Sequence, residues 1–308
     1  MTNAPEFRCG VVALVGRPNV GKSSLINALL KTRAAIVSPK PQTTRNAARF
    51  IYNEERPSAP PSQIIFTDTP GIHIPKNKLG RFLIDSVENA LTLADAVCYL
   101  VEAGDREVGA EDKEAIAKLA GFGGRVILTA TKCDKGESEQ AFEVYRSALG
   151  GKVSVCVALS AKSGQGLPEF IDACLPFLPL GEPWFDPDIL MDGTERFIAA
   201  EHVRAAALDL LRDEVPHCVA VEIDEYKSPD EYQERKKLYI RASLLVETDG
   251  QKAIVIGSGG SMLKKIGVRA RKYLEETTGH SVYLELWVKV SPHWRESPAV
   301  LRRLGYTA

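Results

Sequence analysis

Gly16-Arg17-Pro18-Asn19-Val20-Gly21-Lys22-Ser23 fills the spacing G-x-x-x-x-G-K-[ST], whose residue types make a phosphate cradle. Gly16 and Gly21 let the backbone wrap closely around phosphate oxygens. The amides from Val20 through Ser24 stand at the positive end of the next helix. Lys22 adds a point charge for β and γ phosphates, so it serves binding and catalysis together. Ser23 offers a hydroxyl to Mg²⁺. The chemistry implied is the holding of a nucleoside triphosphate.

Which nucleotide is held depends on three motifs further along the chain. Asp68-Thr69-Pro70-Gly71 places a carboxylate where Asp68 can hold Mg²⁺ and a glycine whose amide can sense the γ phosphate. Thr131-Lys132-Cys133-Asp134 is a variant of the guanine-reading pattern N-K-x-D, in which Asp134 accepts from the N1–H and N2–H₂ edge that adenine lacks. Lys132 would lay its stem over the base, and the backbone of Ser160-Ala161-Lys162 would reach the guanine O6. Each short motif is weak alone. Their order favours GTP over ATP, and a P-loop ATPase or kinase is the reading that Asp134 disfavours. To this point the pattern resembles the translation-factor-like GTPases. Thr131 departs from it: a hydroxyl stands where an asparagine amide is usual, and a bridging hydrogen bond to the phosphate loop is expected to be lost, worth about 1 kcal/mol.

The polar stretch Ser38-Pro39-Lys40-Pro41-Gln42-Thr43-Thr44-Arg45 suits a mobile switch, with Thr44 preferred over Thr43 as the residue that coordinates Mg²⁺ and touches the γ phosphate. Ile72 occupies the position where many such enzymes carry a water-orienting glutamine, so slow intrinsic hydrolysis is expected. Asn19 suggests a remedy, because its amide oxygen could help hold K⁺ beside the phosphates. Arg45 and Lys40 are alternative charge donors. A nucleotide-gated RNA scaffold without appreciable hydrolysis is the competing reading.

These residues need elements to position them. Val11-Val12-Ala13-Leu14-Val15 reads as a buried strand and residues 23–30 as a helix, which puts the phosphate loop between them. Apolar runs at 63–67, 126–130 and 153–159 read as strands ending at the other motifs. Open α/β sheets bind ligands at such carboxyl ends. In the 308-residue chain, residues 251–308 hold 5 Lys and 5 Arg against 4 Glu and no Asp, a net of +6 on a remainder of −7. A basic module on an acidic one points to nucleic acid. Pro176, Pro179, Pro183 and Pro187 mark an interdomain linker. Beyond it an amphipathic helix at 195–211, strands at 218–223 and 238–246, a helix at 261–276 and a strand at 282–290 are expected. Gly257-Ser258-Gly259-Gly260 gives the G-x-x-G of a KH domain, which clamps a nucleic-acid backbone. Its inner residues are not basic, so phosphate attraction falls to Lys264, Lys265 and Arg269. The expected fold is α/β, a P-loop GTPase domain with a mostly parallel sheet over 1–178, a linker at 179–194, and an α+β type II KH domain with a basic tail over 195–308.

Taken together with Glu195-Arg196-Phe197, Val282-Tyr283-Leu284-Glu285-Leu286-Trp287-Val288-Lys289-Val290 and Trp294-Arg295, these modules resemble the Era family of ribosome-associated GTPases from about residue 10 to 295. The resemblance implies GTP and GDP binding with Mg²⁺, GTP hydrolysis, and contact with the 3′ region of small-subunit ribosomal RNA on the 30S particle. It further implies a checkpoint in assembly of that subunit and loose inner-membrane association. A monomer is expected. Six cysteines without C-x-x-C spacing read as reduced thiols of a cytosolic protein, and the five scattered histidines predict no structural zinc. No apolar run has membrane-spanning length. Trp287 and Trp294 could stack on bases, with burial against the sheet the competing reading for Trp287.

Overall fold

The computed structural model describes residues 6–306 except 39, 41, 42, 73, 74, 76 and 230–236. Pro39, Pro41 and Gln42 of the switch stretch thus lie outside the described residues. The first module runs β1 (Arg8–Val15), α1 (Lys22–Leu30), β2 (Ala48–Glu54), β3 (Ser62–Asp68), α2 (Lys78–Thr92), β4 (Ala96–Glu102), α3 (Ala110–Leu119), β5 (Arg125–Thr131), α4 (Glu139–Leu149), β6 (Val153–Ala158) and α5 (Leu167–Cys174), closing with the two-residue β7 (Met191–Asp192). The sheet order is β6-β5-β4-β1-β3-β2-β7. Strands β6, β5, β4, β1 and β3 are parallel, whereas β2 and β7 run antiparallel to their inner neighbours. Helices cover both faces, so β1, β4 and β5 carry near-continuous apolar runs rather than an alternating pattern. The chain leaves β1 towards β3 on one side and later returns to β4 on the other. That reversal opens a crevice at the carboxyl end of β1, where the phosphate loop begins.

The second module has the order α6 (Glu195–Leu210), β8 (Ala220–Lys227), β9 (Leu238–Val246), α7 (Asp249–Ile256), α8 (Ser261–Thr278), β10 (Val282–Val290) and α9 (Pro298–Arg303). Its sheet is β10-β9-β8, with β10 parallel to β9 and β8 antiparallel to it. This α-β-β-α-α-β order is that of a type II KH fold.

Four sequence expectations change. Helix α6 is not amphipathic: His202 through Leu208 are buried on consecutive positions, because α8, the sheet and the switch stretch surround it. Helix α7 is unanticipated; in the sequence its eight residues read only as the lead-in to the G-x-x-G. Strand β8 starts at Ala220 rather than 218, since Pro216 begins a short 3₁₀ turn over Val215–Cys218. The proline-spaced stretch read as irregular ends in β7, and its course is fixed by Gln63. That buried amide accepts from Trp184 N–H (2.9 Å) and Phe185 N–H (3.0 Å) and donates to Phe185 O and Asn53 Oδ1, both at 2.9 Å. All four of its hydrogen-bonding capacities are met.

The basic carboxyl-terminal tail packs against the first module. Trp294, Leu301 and Tyr306 pack with Leu79, Phe82 and Leu83 of α2. Trp294 is fully buried, which removes it from base stacking. All six cysteines are free thiols, four of them buried.

His202 shares a hydrogen bond of 2.9 Å with the Thr277 hydroxyl inside the second module. Burial pushes its imidazole down to about 4, Arg33 adds to the shift, and Glu201 and Glu276 oppose it. The folded value lies below the unfolded one, so the neutral ring's contribution is complete above pH ~6.5 and is lost as the pH falls from there towards 4. Going from pH 7 to pH 5 should cost about 2 kcal/mol through this group. Paired melting curves of the wild type and His202→Gln should show that part of the acid sensitivity disappearing in the variant.

Candidate functional site

The phosphate loop is held from three sides. Lys22 is buried and donates to Gly16 O (2.9 Å) and Arg17 O (3.0 Å), across the mouth of its own loop. Burial pushes its ammonium down to about 8 against the opposing fields of Asp68 and Glu111. An incoming triphosphate would supply the missing negative charge. Gly71 closes on the same loop: a Cβ there would stand 2.7 Å from Pro18 Cγ, so only glycine lets this backbone approach so closely. Together Pro18, Asn19, Gly21, Lys22, Ser23, Ser24, Thr43, Thr44, Gly71 and Lys132 line a cleft of about 450 Å³ with Ile36, Val37 and Ser38.

At one wall of the cleft three oxygen-bearing side chains converge. Ser23 donates to Asp68 Oδ2 (2.6 Å), Thr44 donates to the same oxygen (3.1 Å), and the two hydroxyls are 3.3 Å apart. Burial pushes the Asp68 carboxyl up, opposed by Lys22 and by both hydroxyls. Its other oxygen, Oδ1, is buried with no hydrogen-bond partner among the described residues. A hard cation takes such oxygen sets, so these residues fit Mg²⁺. Thr43 does not join this cluster, its hydroxyl donating instead to Lys40 O at 2.6 Å. Ile72 is buried in the core beneath the cleft and cannot orient a water.

The residues expected to read the base lie beyond Lys132, outside the cleft's lining. Ser160 donates to Asp134 Oδ1 at 2.7 Å, and this bond holds the exposed Asp134 carboxyl below its ordinary range. Ala161 and Lys162 continue the same turn after β6. Lys132, at a positive φ of 59°, donates to Asn19 O (3.0 Å) and Glu102 Oε1 (2.7 Å), tying base site to phosphate loop. The expected loss at Thr131 does not occur. Its buried hydroxyl lies 2.6 Å from Val20 O and 3.0 Å from Val101 O, so the short side chain still reaches the loop and its single proton serves either carbonyl.

Sequence reasoning missed Arg17. Its guanidinium pairs with Asp105 (2.8 and 2.9 Å) and with the buried Asp112 (3.1 Å), which Tyr99 and Tyr145 also hydrogen-bond. This brace ties the phosphate loop to α3. Its partners lie 88 and 95 positions away, and no local pattern announces them.

In the second module Gly257-Ser258-Gly259-Gly260 joins α7 to α8. Gly257 has φ 74°, and a Cβ there would meet Met262 N at 2.8 Å, whereas Gly259 faces open space. Lys264 and Lys265 are exposed on the first turns of α8. Arg269 lies further along the helix, 3.6 Å from Asp209.

The switch stretch reaches from the cleft into the second module. Arg45, next to Thr44, is fully buried and donates to Val219 O (2.7 Å) and His217 O (3.0 Å), with its guanidinium 5.6 Å from the Trp294 ring centroid. Lys40 donates to Leu208 O and Leu211 O at the end of α6, and Arg204 of α6 donates back to Thr43 O.

The profile of a family described as 50S ribosome-binding GTPase matches residues 11–132, and that of the KH domain matches residues 214–295. GTPase Era of Carboxydothermus hydrogenoformans is 39% identical, over 98% of this chain and 99% of that protein. GTPase Era of Caldanaerobacter subterraneus subsp. tengcongensis is 42% identical, over 97% and 98%. Among solved structures, Era in complex with MgGDPNP and nucleotides 1506–1542 of 16S ribosomal RNA matches with a TM-score of 0.87 and 38% identity, over 98% of this chain and 100% of that one. An Aquifex aeolicus Era variant bound to GDP·AlF₄⁻ gives the same TM-score, identity and coverage.

Lys22→Ala should abolish GTP binding or turnover, measured with labelled GTP and by phosphate release. Asp134→Asn should keep triphosphate binding and shrink the preference for guanosine over adenosine triphosphate by about tenfold or more, the worth of charge-assisted hydrogen bonds.

Proposed function

The chain belongs to the Era family of GTPases, and from that premise we propose that GTP acts here as a switch on RNA binding during assembly of the small ribosomal subunit. The protein binds and hydrolyses GTP with Mg²⁺ and binds RNA through its KH module. The RNA target is the 3′ region of the small-subunit ribosomal RNA, as in the relative crystallised with that segment. The observation that carries the switch is the juxtaposition of Thr44, hydrogen-bonded to Asp68 in the cleft, with Arg45, hydrogen-bonded to the KH module's backbone.

In the proposed site, the loop amides and Lys22 take the β and γ phosphates, Ser23, Thr44 and Asp68 hold Mg²⁺, and Asp134 with Ser160, Ala161 and Lys162 reads guanine. When bound, Mg²⁺ would supply positive charge against the phosphates. The Gly71 amide and Thr44 sense the γ phosphate, and its departure releases them. Because Thr44 and Arg45 are covalent neighbours, release at the cleft pulls on the contact with Val219 and His217. We place the domain boundaries at residue 178 and at 195, with 179–194 as a docked linker. The protein is proposed to act as a monomer in the cytoplasm with peripheral inner-membrane contact, as the family resemblance implies. No helix among the described residues is long and apolar enough to cross a membrane.

Single-turnover hydrolysis should accelerate when small ribosomal subunits are added, and an unchanged rate would argue against the assembly role. Placing Asp at both Ser258 and Gly259 should weaken RNA binding by about tenfold or more through phosphate repulsion while leaving GTP binding intact. Arg45→Ala should bring RNA affinities measured with GDP and with a GTP analogue towards equality. Because Asn19 lines the cleft and position 72 carries no glutamine, turnover should be faster in KCl than in NaCl, and equal rates discard the cation.

A further inference from the structure

Helices α6 and α8 cover one face of the KH sheet. On the other face β10 presents Tyr283, Glu285, Trp287 and Lys289, with Tyr239 paired to Tyr283 from β9. The carboxyl-terminal segment covers this face at Ala220 and Leu245, and Arg303 reaches Glu222 (2.9 Å). Tyr283 is 58% exposed and Trp287 55% exposed, far more than packing side chains of this size. Base stacking and burial are the competing readings for Trp287, and burial is excluded.

The rings are fixed in place. Glu285 accepts from Trp287 Nε1–H and from the Tyr239 hydroxyl, both at 2.8 Å, and the Tyr239 and Tyr283 rings stack with centroids 5.8 Å apart at 16°. Indole has a single donor, and that donor is used internally. What Trp287 offers to solvent is π surface. Three basic side chains of this face are internally paired, Lys289 with Asp224 (3.1 Å), and Arg241 and Lys227 with Glu225 (2.6 and 3.1 Å). This face is therefore poor at attracting phosphates and suited to stacking.

Its position supplies the partner. Strand β10 is the outer strand of the sheet, and it is also the strand on which α7 and α8, the two helices flanking the G-x-x-G loop, pack. A strand of RNA clamped at that loop has only to pass over the outer edge to reach Tyr283 and Trp287. We propose that Trp287 and Tyr283 form a stacking platform for unpaired bases that flank the RNA segment clamped at residues 257–260. This rests on the RNA-binding reading of the KH module and extends its footprint.

The test uses the full chain with a GTP analogue and two single-stranded RNAs from the 3′ end of the small-subunit ribosomal RNA. One has about four nucleotides, the length a KH loop clamps, and one about 12. Trp287→Ala and Tyr283→Ala should each weaken the longer RNA by about tenfold while leaving the shorter one and GTP binding unchanged. Trp287→Phe should restore most of the loss. The slope of log affinity against log salt should stay as in the wild type for Trp287→Ala and fall by about one for Lys264→Ala, since only the second loses a phosphate contact. Wild-type affinity of Trp287→Ala for the longer RNA would overturn the platform and leave this face to a protein partner. Failure of the wild type to bind either RNA would overturn the RNA-binding reading, and the platform with it.

Discussion

Two consecutive side chains of the first module, Thr44 and Arg45, bond to different modules. One donates to the Asp68 carboxylate in the cleft and the other to carbonyls of Val219 and His217. Their Cα atoms are fixed about 3.8 Å apart by the peptide geometry, so neither can move far without the other. The cleft side of this link depends on a buried carboxylate whose second oxygen lacks a partner among the described residues. The far side depends on a buried guanidinium that is solvated by carbonyls and an aromatic ring. A buried charge kept by hydrogen bonds is costly if those bonds break within the protein, and much less so if water replaces them. Such a contact favours an interface that is either closed or fully opened.

Around this link each module keeps its own core. The first is a parallel sheet sealed by helices, with an antiparallel edge that ends in β7 and the docked 179–194 stretch. The second has its own three-stranded sheet under α6 and α8. Between them lie an apolar contact from α2 to Trp294, Leu301 and Tyr306, and the polar contacts of Lys40, Arg45 and Arg204. The two tryptophans near the carboxyl terminus have opposite fates for this reason. Trp294 is fully buried at the module boundary, while Trp287 stands exposed on the sheet face opposite α6 and α8.

The phosphate loop, the order of the guanine-binding motifs and the G-x-x-G were legible because each is local: a few residues of fixed type, directly after a strand or before a helix. Strands β1, β3, β5, β9 and β10 were legible because apolar runs of that length have one use in a helix-covered sheet. Helix α7 was not, since eight residues ending in Ile254-Val255-Ile256 carry no helical period strong enough to outweigh their β-branched side chains. Helix α6 misled in the other direction, because burial on all sides erases amphipathicity.

The sequence by itself determined the chemistry of the loops, since phosphate, magnesium and guanine recognition rest on short motifs whose geometry is set by a few backbone angles. Only the tertiary structure decided that Thr131 still reaches Val20, that Arg17 is braced by Asp105 and Asp112, that Gln63 holds the linker, and that Arg45 docks on the second module. Each of those contacts joins residues from about 90 to more than 170 positions apart. Separation on that scale leaves no periodicity to read, because only the folded arrangement of the elements brings such groups together.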